Sequence, residues 1–271
     1  MNTVVFSVVI GIYGAATLLY VVYFVRPAEA LCKAAGRILA SGFAFHCLFT
    51  VNRYLESGYT PITNPHESLS FFSLAVVGVF LAFQWKYHAV ILGSFVMPVA
   101  FLILLASASF PSAVTPLSPT LKSGWLAIHA VGAFAAYATF TVAFCAGVMY
   151  LLQERYLKKK LLGVLFRRLP SLDILDDINY RCLAFGLPLL TIAITSGSLW
   201  AKSAWGAYWS WDPKETWSLV TWFVYAALLH GRLTTGWRGR RAAILAIVGF
   251  CVILFTFLGV NLLLPGHHSN R

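Results

Sequence analysis

Two groups of side chains in this 271-residue chain have the chemistry to hold a ligand: its histidines and one crowd of indoles. Residues 205–222 read WGAYWSWDPKETWSLVTW. They place Trp205, Trp209, Trp211, Trp217 and Trp222, five of the nine tryptophans, in one short stretch. Lys202, Asp212, Lys214 and Glu215 stand among or beside them. Tryptophan at a membrane boundary commonly anchors helix ends at the headgroup level, but such a belt spreads over many ends. Indoles gathered in one loop among charges suit instead a platform for a large, flat, apolar ligand. Asp212, Pro213 and Glu215 also match a helix start, with the cap residue, proline at the first helical position and an acid three residues on. Lys214 at that positive helix end suits a ligand with a carboxylate edge, and Lys214, Trp217, Thr221 and Trp222 fall near one helical face.

The histidines are His46, His66, His88, His129, His230, His267 and His268. His129 lies five to eight residues inside one end of a long apolar run, roughly 10 Å deep at ~1.5 Å per residue. An ionisable group at that depth is expensive, and reads either as a functional residue or as a hydrogen-bonded core histidine. His267 and His268 follow the last apolar run, where a solvated tail is the plain alternative to a ligand role. Two neutral imidazoles from separate elements beside an aromatic platform can bind one iron. His230 stands beside Arg232 near a helix end and is readable as an interfacial polar residue. His46 falls in the middle of a span, where burial costs most.

The elements that position these groups are membrane helices. The chain is 59% hydrophobic and 11% charged, with a mean hydropathy of +0.77. Soluble domains carry about 25% charged residues, so composition indicates an all-α polytopic membrane protein. Eight spans are expected, at 3–25, 38–55, 68–85, 89–107, 124–152, 182–200, 213–231 and 242–264, each near the ~20 residues a bilayer requires. The first reads as a helix rather than a cleaved signal. Fifteen of the 20 Lys and Arg fall in one set of connecting loops and five in the other. That bias puts the first set in the cytoplasm and leaves both termini, the tryptophan loop and the outer end of the His129 helix on the extracytoplasmic side. The net charge of +11 is therefore an orientation signal and does not call for nucleic acid. The longest inner loop, 153–181, is expected to lay Leu161, Leu162, Val164, Leu165 and Phe166 on the membrane surface. Residues 1–271 read as a single integral membrane domain, with 201–217 as its extracytoplasmic loop.

Several functions find no support. Cys32, Cys47, Cys145, Cys182 and Cys251 form no CxxC or CxxCH and read as small buried hydrophobes. No nucleophile–histidine pattern and no phosphate-binding glycine loop is present.

The stretch Trp205-Gly206-x-x-Trp209-x-Trp211-Asp212-Pro213-Lys214-Glu215-Thr216-Trp217 resembles the WWD signature of haem-handling proteins. These are the CcsA family (ResC, or CcsB in some schemes) of system II cytochrome c biogenesis and, more distantly, CcmC and CcmF. Further matches are Pro61-x-x-Asn64-x-x-Glu67-Ser68-Leu69, Leu121-x-Ser123-x-Trp125-Leu126-x-Ile128-His129, Leu229-His230-x-Arg232, Gly259-Val260-Asn261-Leu262-Leu263 and Gly266-x-His268-Ser269. The resemblance covers residues 38–269. Position 66 is His where relatives often carry Tyr or Phe, and the chain ends at Asn270-Arg271 without a Tyr-Gly continuation.

The resemblance implies a protein that moves haem b outward and holds it against the WWD loop in a bacterial inner membrane or a thylakoid-type membrane. It implies His129 and His268 as axial ligands of the outer iron and His230 as a ligand within the membrane. His46 is the intrachain candidate to pair with His230. Haem is then offered to a CxxCH apocytochrome c, with a ResB/CcsB-type membrane subunit as partner, so the chain would be a subunit of a holocytochrome c synthase. No residue reads as a general acid or base for thioether formation, so orientation is the expected contribution. Two other readings stand beside it. A carrier of a different apolar anion uses the same platform without iron and does not need His129 and His268 together; a haem-related membrane scaffold without ligase activity does not need the charged WWD loop.

Overall fold

The computed structural model describes residues 2–87, 89–113, 119–161 and 163–260. Nine α-helices and no strand occur among them. They are α1 (Asn2–Val25), α2 (Glu29–Ser57), α3 (Pro65–Tyr87), α4 (Gly93–Ala108), α5 (Gly124–Lys158), α6 (Val164–Arg168), α7 (Leu172–Trp205), α8 (Pro213–Thr234) and α9 (Arg240–Leu254). Seven helices are long and apolar enough to cross a membrane, making this a multi-pass membrane protein. The seventh expected span, now α8, is long enough at 22 residues but is not among those seven. Lys214, Glu215, His230 and Arg232 lower its hydropathy. Each of the eight expected spans overlaps one helix, the last as far as Val260 because 261–264 lie outside the described residues, and α6 is an additional short turn. The chain divides into two compact units, one within Met1–Ser118 and one within Pro119–Arg271.

In the first unit α1 packs on α2 and α4, and α3 packs on α4. Lipid offers apolar helices no hydrophobic reason to associate, so close packing and interhelical hydrogen bonds set the arrangement. The Tyr20 hydroxyl donates to Gln84 Oε1 at 2.6 Å and Ser73 donates to the Ala100 carbonyl at 2.8 Å. At the other end of α2, Arg53 pairs with Glu67 at 2.9 Å, both nearly enclosed, and donates to the Ser112 carbonyl at 2.6 Å. Glu67 also accepts from the Thr63 amide and hydroxyl, so both oxygens of the buried carboxylate have donors. Asn64 caps α3 by accepting from the Glu67 amide at 2.9 Å, a helix-start pattern visible in Asn-x-x-Glu.

In the second unit the two longest helices, α5 and α7, pack along their length, and α9 covers α5. Helix α8 lies on α7 and α9. The core is aromatic: Phe140 and Tyr225 stack at 3.5 Å, and Phe144 and Phe250 at 4.4 Å. Helix α9 continues as a π-helical stretch, Phe255–Gly259, a form that often marks functional positions. Around α6, Leu161, Val164 and Leu165 are exposed and Phe166 is half-buried, while Leu162 lies outside the described residues.

Candidate functional site

The indole loop is built by its two flanking helices. Helix α7 ends at Trp205 because Gly206 takes the left-handed conformation (φ 80°), which returns its amide to the Lys202 carbonyl at 3.1 Å. The Lys202 ammonium donates to the Gly206 carbonyl at 2.8 Å and lies over the Tyr208 ring. Helix α8 begins as its sequence predicts: Asp212 caps it by accepting from the Lys214 amide at 2.9 Å, with Pro213 in the first turn. Glu215 does not close the expected reciprocal box onto Asp212. Its carboxylate reaches farther back and accepts from the Ser210 amide at 2.8 Å and hydroxyl at 3.2 Å. The turn Ser210–Asp212 is thereby tied to the first turn of α8.

That tie holds Trp211 in an unusual state. Its φ is 57°, in a region that costs a bulky residue about 1–3 kcal/mol, and its side chain is 69% exposed. A strained, exposed indole is not explained by packing. Trp209 stands perpendicular to it, ring centroids 5.9 Å apart. The Trp209 Nε1 is buried and has no hydrogen-bond partner among the described residues. A buried orphan donor beside a presented indole fits an apolar ligand with acceptor groups on its rim.

Other members of the aromatic set are committed to the fold. Trp205 packs edge-on against Trp200 at 4.9 Å, and Trp217 against Phe255 of the π-helical stretch at 4.4 Å. Trp222 donates its indole N–H to Thr191 of α7 at 2.8 Å. The loop thus has a braced base and a presented edge made by Trp209 and Trp211.

His129 sits in the second turn of α5, half-buried, with its ring lying on α7. Nδ1 is 2.7 Å from the Ala193 carbonyl. A carbonyl oxygen accepts only, so Nδ1 carries the proton and the lone pair of the neutral ring is on Nε2. No described residue hydrogen-bonds Nε2. A second-ring-nitrogen bond that fixes the tautomer is the usual support of a metal-ligating histidine. The Lys214 ammonium is within electrostatic reach of this ring, which links His129 to the start of α8.

The remaining histidines differ. His230 is exposed on α8; its carbonyl accepts from the Thr234 hydroxyl at 2.8 Å, and no described residue hydrogen-bonds its ring. Two residues on, Arg232 makes a bidentate pair with Asp176 of α7 at 2.9 and 2.7 Å and lies over the Tyr180 ring at 4.7 Å. Asp176 also accepts from the Gly239 amide, joining α7, α8 and the start of α9 at one point. His46 is fully enclosed, with Nδ1 3.2 Å from the Tyr13 hydroxyl and Nε2 2.9 Å from the Ser70 hydroxyl. Both of its nitrogens are spent, so in this arrangement it has no lone pair to offer an iron. His66 is likewise buried, bonded to the Ser107 carbonyl at 2.9 Å. His88, His267 and His268 lie outside the described residues.

Sequence reasoning missed the α7 half of the His129 site, the Ala193 carbonyl and Gly197. A β-carbon on Gly197 would stand 2.5 Å from His129 Nδ1. A signal was present: glycine inside a helix costs about 1 kcal/mol against alanine and needs a reason.

Comparison with known proteins agrees with the resemblance. The family model described as cytochrome C assembly protein matches residues 62–268. The cytochrome c biogenesis protein CcsA of Guillardia theta is 39% identical over 236 residues, covering 80% of this chain and 78% of that protein. CcsA of Microcystis aeruginosa is 38% identical over 265 residues, covering 80% and 81%. Among solved structures, the cytochrome c haem lyase CcmF superposes with a TM-score of 0.69 at 17% identity, over 95% of this chain and 46% of that one, a likeness of fold. With its family model matched over most of its length and relatives this similar, the chain belongs to the CcsA family of cytochrome c assembly proteins.

Proposed function

We propose that this protein acts in cytochrome c maturation by holding haem on the extracytoplasmic face and presenting it to apocytochrome c. Haem here is the substrate. The observation that carries the reading is the His129 ring, whose Nδ1–H is committed to the Ala193 carbonyl and whose Nε2 is left with a lone pair. His268, on the segment after α9, supplies the second axial imidazole. The presented edge of Trp209 and Trp211 lies along the porphyrin, and the orphaned Trp209 N–H meets an acceptor on its rim. Lys214 favours the carboxylate side of the ligand.

Attachment adds a cysteine S–H of a CxxCH segment across each vinyl double bond. The sulfur–carbon bond forms, the hydrogen goes to the neighbouring carbon, and no external oxidant is consumed. The protein contributes orientation: axial ligation and the indole edge fix where the vinyl groups stand. The apocytochrome histidine then replaces the ligand on the tail, His268. His230, whose ring no described residue bonds, ligates haem on its way outward, and the second ligand at that inner position comes from a ResB/CcsB-type partner. Both termini face the extracytoplasmic side of a bacterial inner or thylakoid-type membrane.

The test is the absorption spectrum and haem content of the chain purified from membranes, with and without the partner. A six-coordinate bis-imidazole haem is expected, lost in His129→Ala and in His268→Ala and restored by added imidazole. A colourless preparation under both conditions would overturn the reading and favour a carrier of another apolar anion.

A further inference from the structure

We propose that Gly197 is a positioning residue for His129: the missing side chain at 197 is the seat in which the imidazole lies, and the seat sets the tautomer and direction of the ring. The inference rests on the reading of His129 as an iron ligand and names a residue through which that ligand acts.

Helices α5 and α7 meet through small residues. Gly132 on α5 faces Ala193 on α7, and a β-carbon at 132 would find Ala193 Cβ at 3.5 Å and the Leu189 carbonyl at 3.6 Å, which is ordinary contact. One turn toward the tryptophan loop the situation changes. A β-carbon on Gly197 would lie 2.5 Å from His129 Nδ1, 2.9 Å from Cε1 and 3.2 Å from Cγ. These are ring atoms, not backbone. The helices need not separate to accept alanine at 197; the ring must move. Nδ1 is the atom most nearly struck and also the atom bonded to Ala193 at 2.7 Å. Moving the ring therefore breaks the one bond that holds the proton on Nδ1 and the lone pair on Nε2. Alanine is otherwise the better residue inside a helix, so the fold has no reason of its own to exclude it. The two glycines make an internal control, one seating the ring and one only easing the helix crossing.

The experiment compares the full chain carrying Gly197→Ala, Gly132→Ala, His129→Ala and the double change His129→Ala with Gly197→Ala. Each is purified in detergent and titrated with haemin, and the spin state is read by absorption and electron paramagnetic resonance. Gly197→Ala is expected to weaken low-spin haem binding about ten- to hundredfold, the range for loss of a group that orients a metal ligand. Gly132→Ala should bind as the parent does. Imidazole should restore the low-spin signal to His129→Ala and equally to the double variant. Thermal stability of the haem-free chains supplies a readout that does not depend on loading. If Gly197→Ala lowers it, the loss should vanish in the His129→Ala background, where the struck ring is gone. Unchanged haemin binding in Gly197→Ala, with binding lost in His129→Ala, would overturn the seat while leaving the ligand. A stability loss that persists in the double variant would also overturn it. Unchanged binding in His129→Ala would overturn the ligand reading and the inference with it.

Discussion

His46 and His129 are imidazoles placed among membrane helices in the two units of one chain, and they are used in opposite ways. His46 spends both nitrogens on neighbouring hydroxyls and closes a three-helix polar contact among α1, α2 and α3. His129 spends one nitrogen on a backbone carbonyl, and no described residue bonds the other. Burial alone would rank His46 as the more suspicious residue, since it is fully enclosed and His129 only half so. The number of committed nitrogens reverses that order. A buried histidine whose bonds are complete has its structural explanation, and one with a fixed tautomer and a spare lone pair does not.

The comparison can be broken by exchanging the losses. His129→Ala should abolish low-spin haem and c-type cytochrome maturation while the protein stays in the membrane at its usual amount. Haem staining of c-type cytochromes and an immunoblot of membranes check both halves. His46→Ala should do the reverse. It strands the Tyr13 and Ser70 hydroxyls in an apolar interior and removes packed volume, for a cost of about 2–4 kcal/mol. Thermal unfolding in detergent should register that loss, while haemin still gives the parental spectrum in the folded fraction. A parental unfolding temperature with lost haem binding would exchange the roles assigned to the two residues.

Smaller effects sharpen the picture within the second unit. Trp209→Ala with Trp211→Ala removes the presented edge and should lower haemin affinity several-fold, each stacked indole being worth about 0.5–1.5 kcal/mol beyond its buried area. Unchanged affinity in a fluorescence-quenching titration would leave the loop as a membrane anchor. Asp212→Ala should cost about 1 kcal/mol through loss of the α8 cap. Because the cap positions the indole edge, haemin affinity should fall modestly with it, and restoring a cap with Asp212→Asn should recover stability in the same unfolding assay.

What was readable from the sequence was local or periodic. Long apolar runs announced the helices, and Asp212-Pro213 announced the start of α8, because both depend on neighbours in sequence. The depth of His129 and the crowding of the indoles were visible for the same reason. The closure of His46 was not, since its partners Tyr13 and Ser70 lie on other helices and meet it only through helix register. Gly197 was only half visible: a glycine inside a helix asks for a reason, but the reason is the ring of a residue 68 positions away. Glu215 shows the limit of a local motif, for the acid was in the right place yet chose Ser210 over the cap residue. Asp176 joins α7, α8 and the turn before α9 through partners 56 and 63 positions away in sequence, so no local pattern marks it.

The central claim, that His129 Nε2 takes an iron of haem, is tested most directly by electron paramagnetic resonance of the haemin-loaded full chain beside its His129→Ala variant. The account predicts a low-spin bis-imidazole ferric signal in the parent, replaced in the variant by a high-spin signal that added imidazole converts back. The same low-spin signal in both proteins would contradict it.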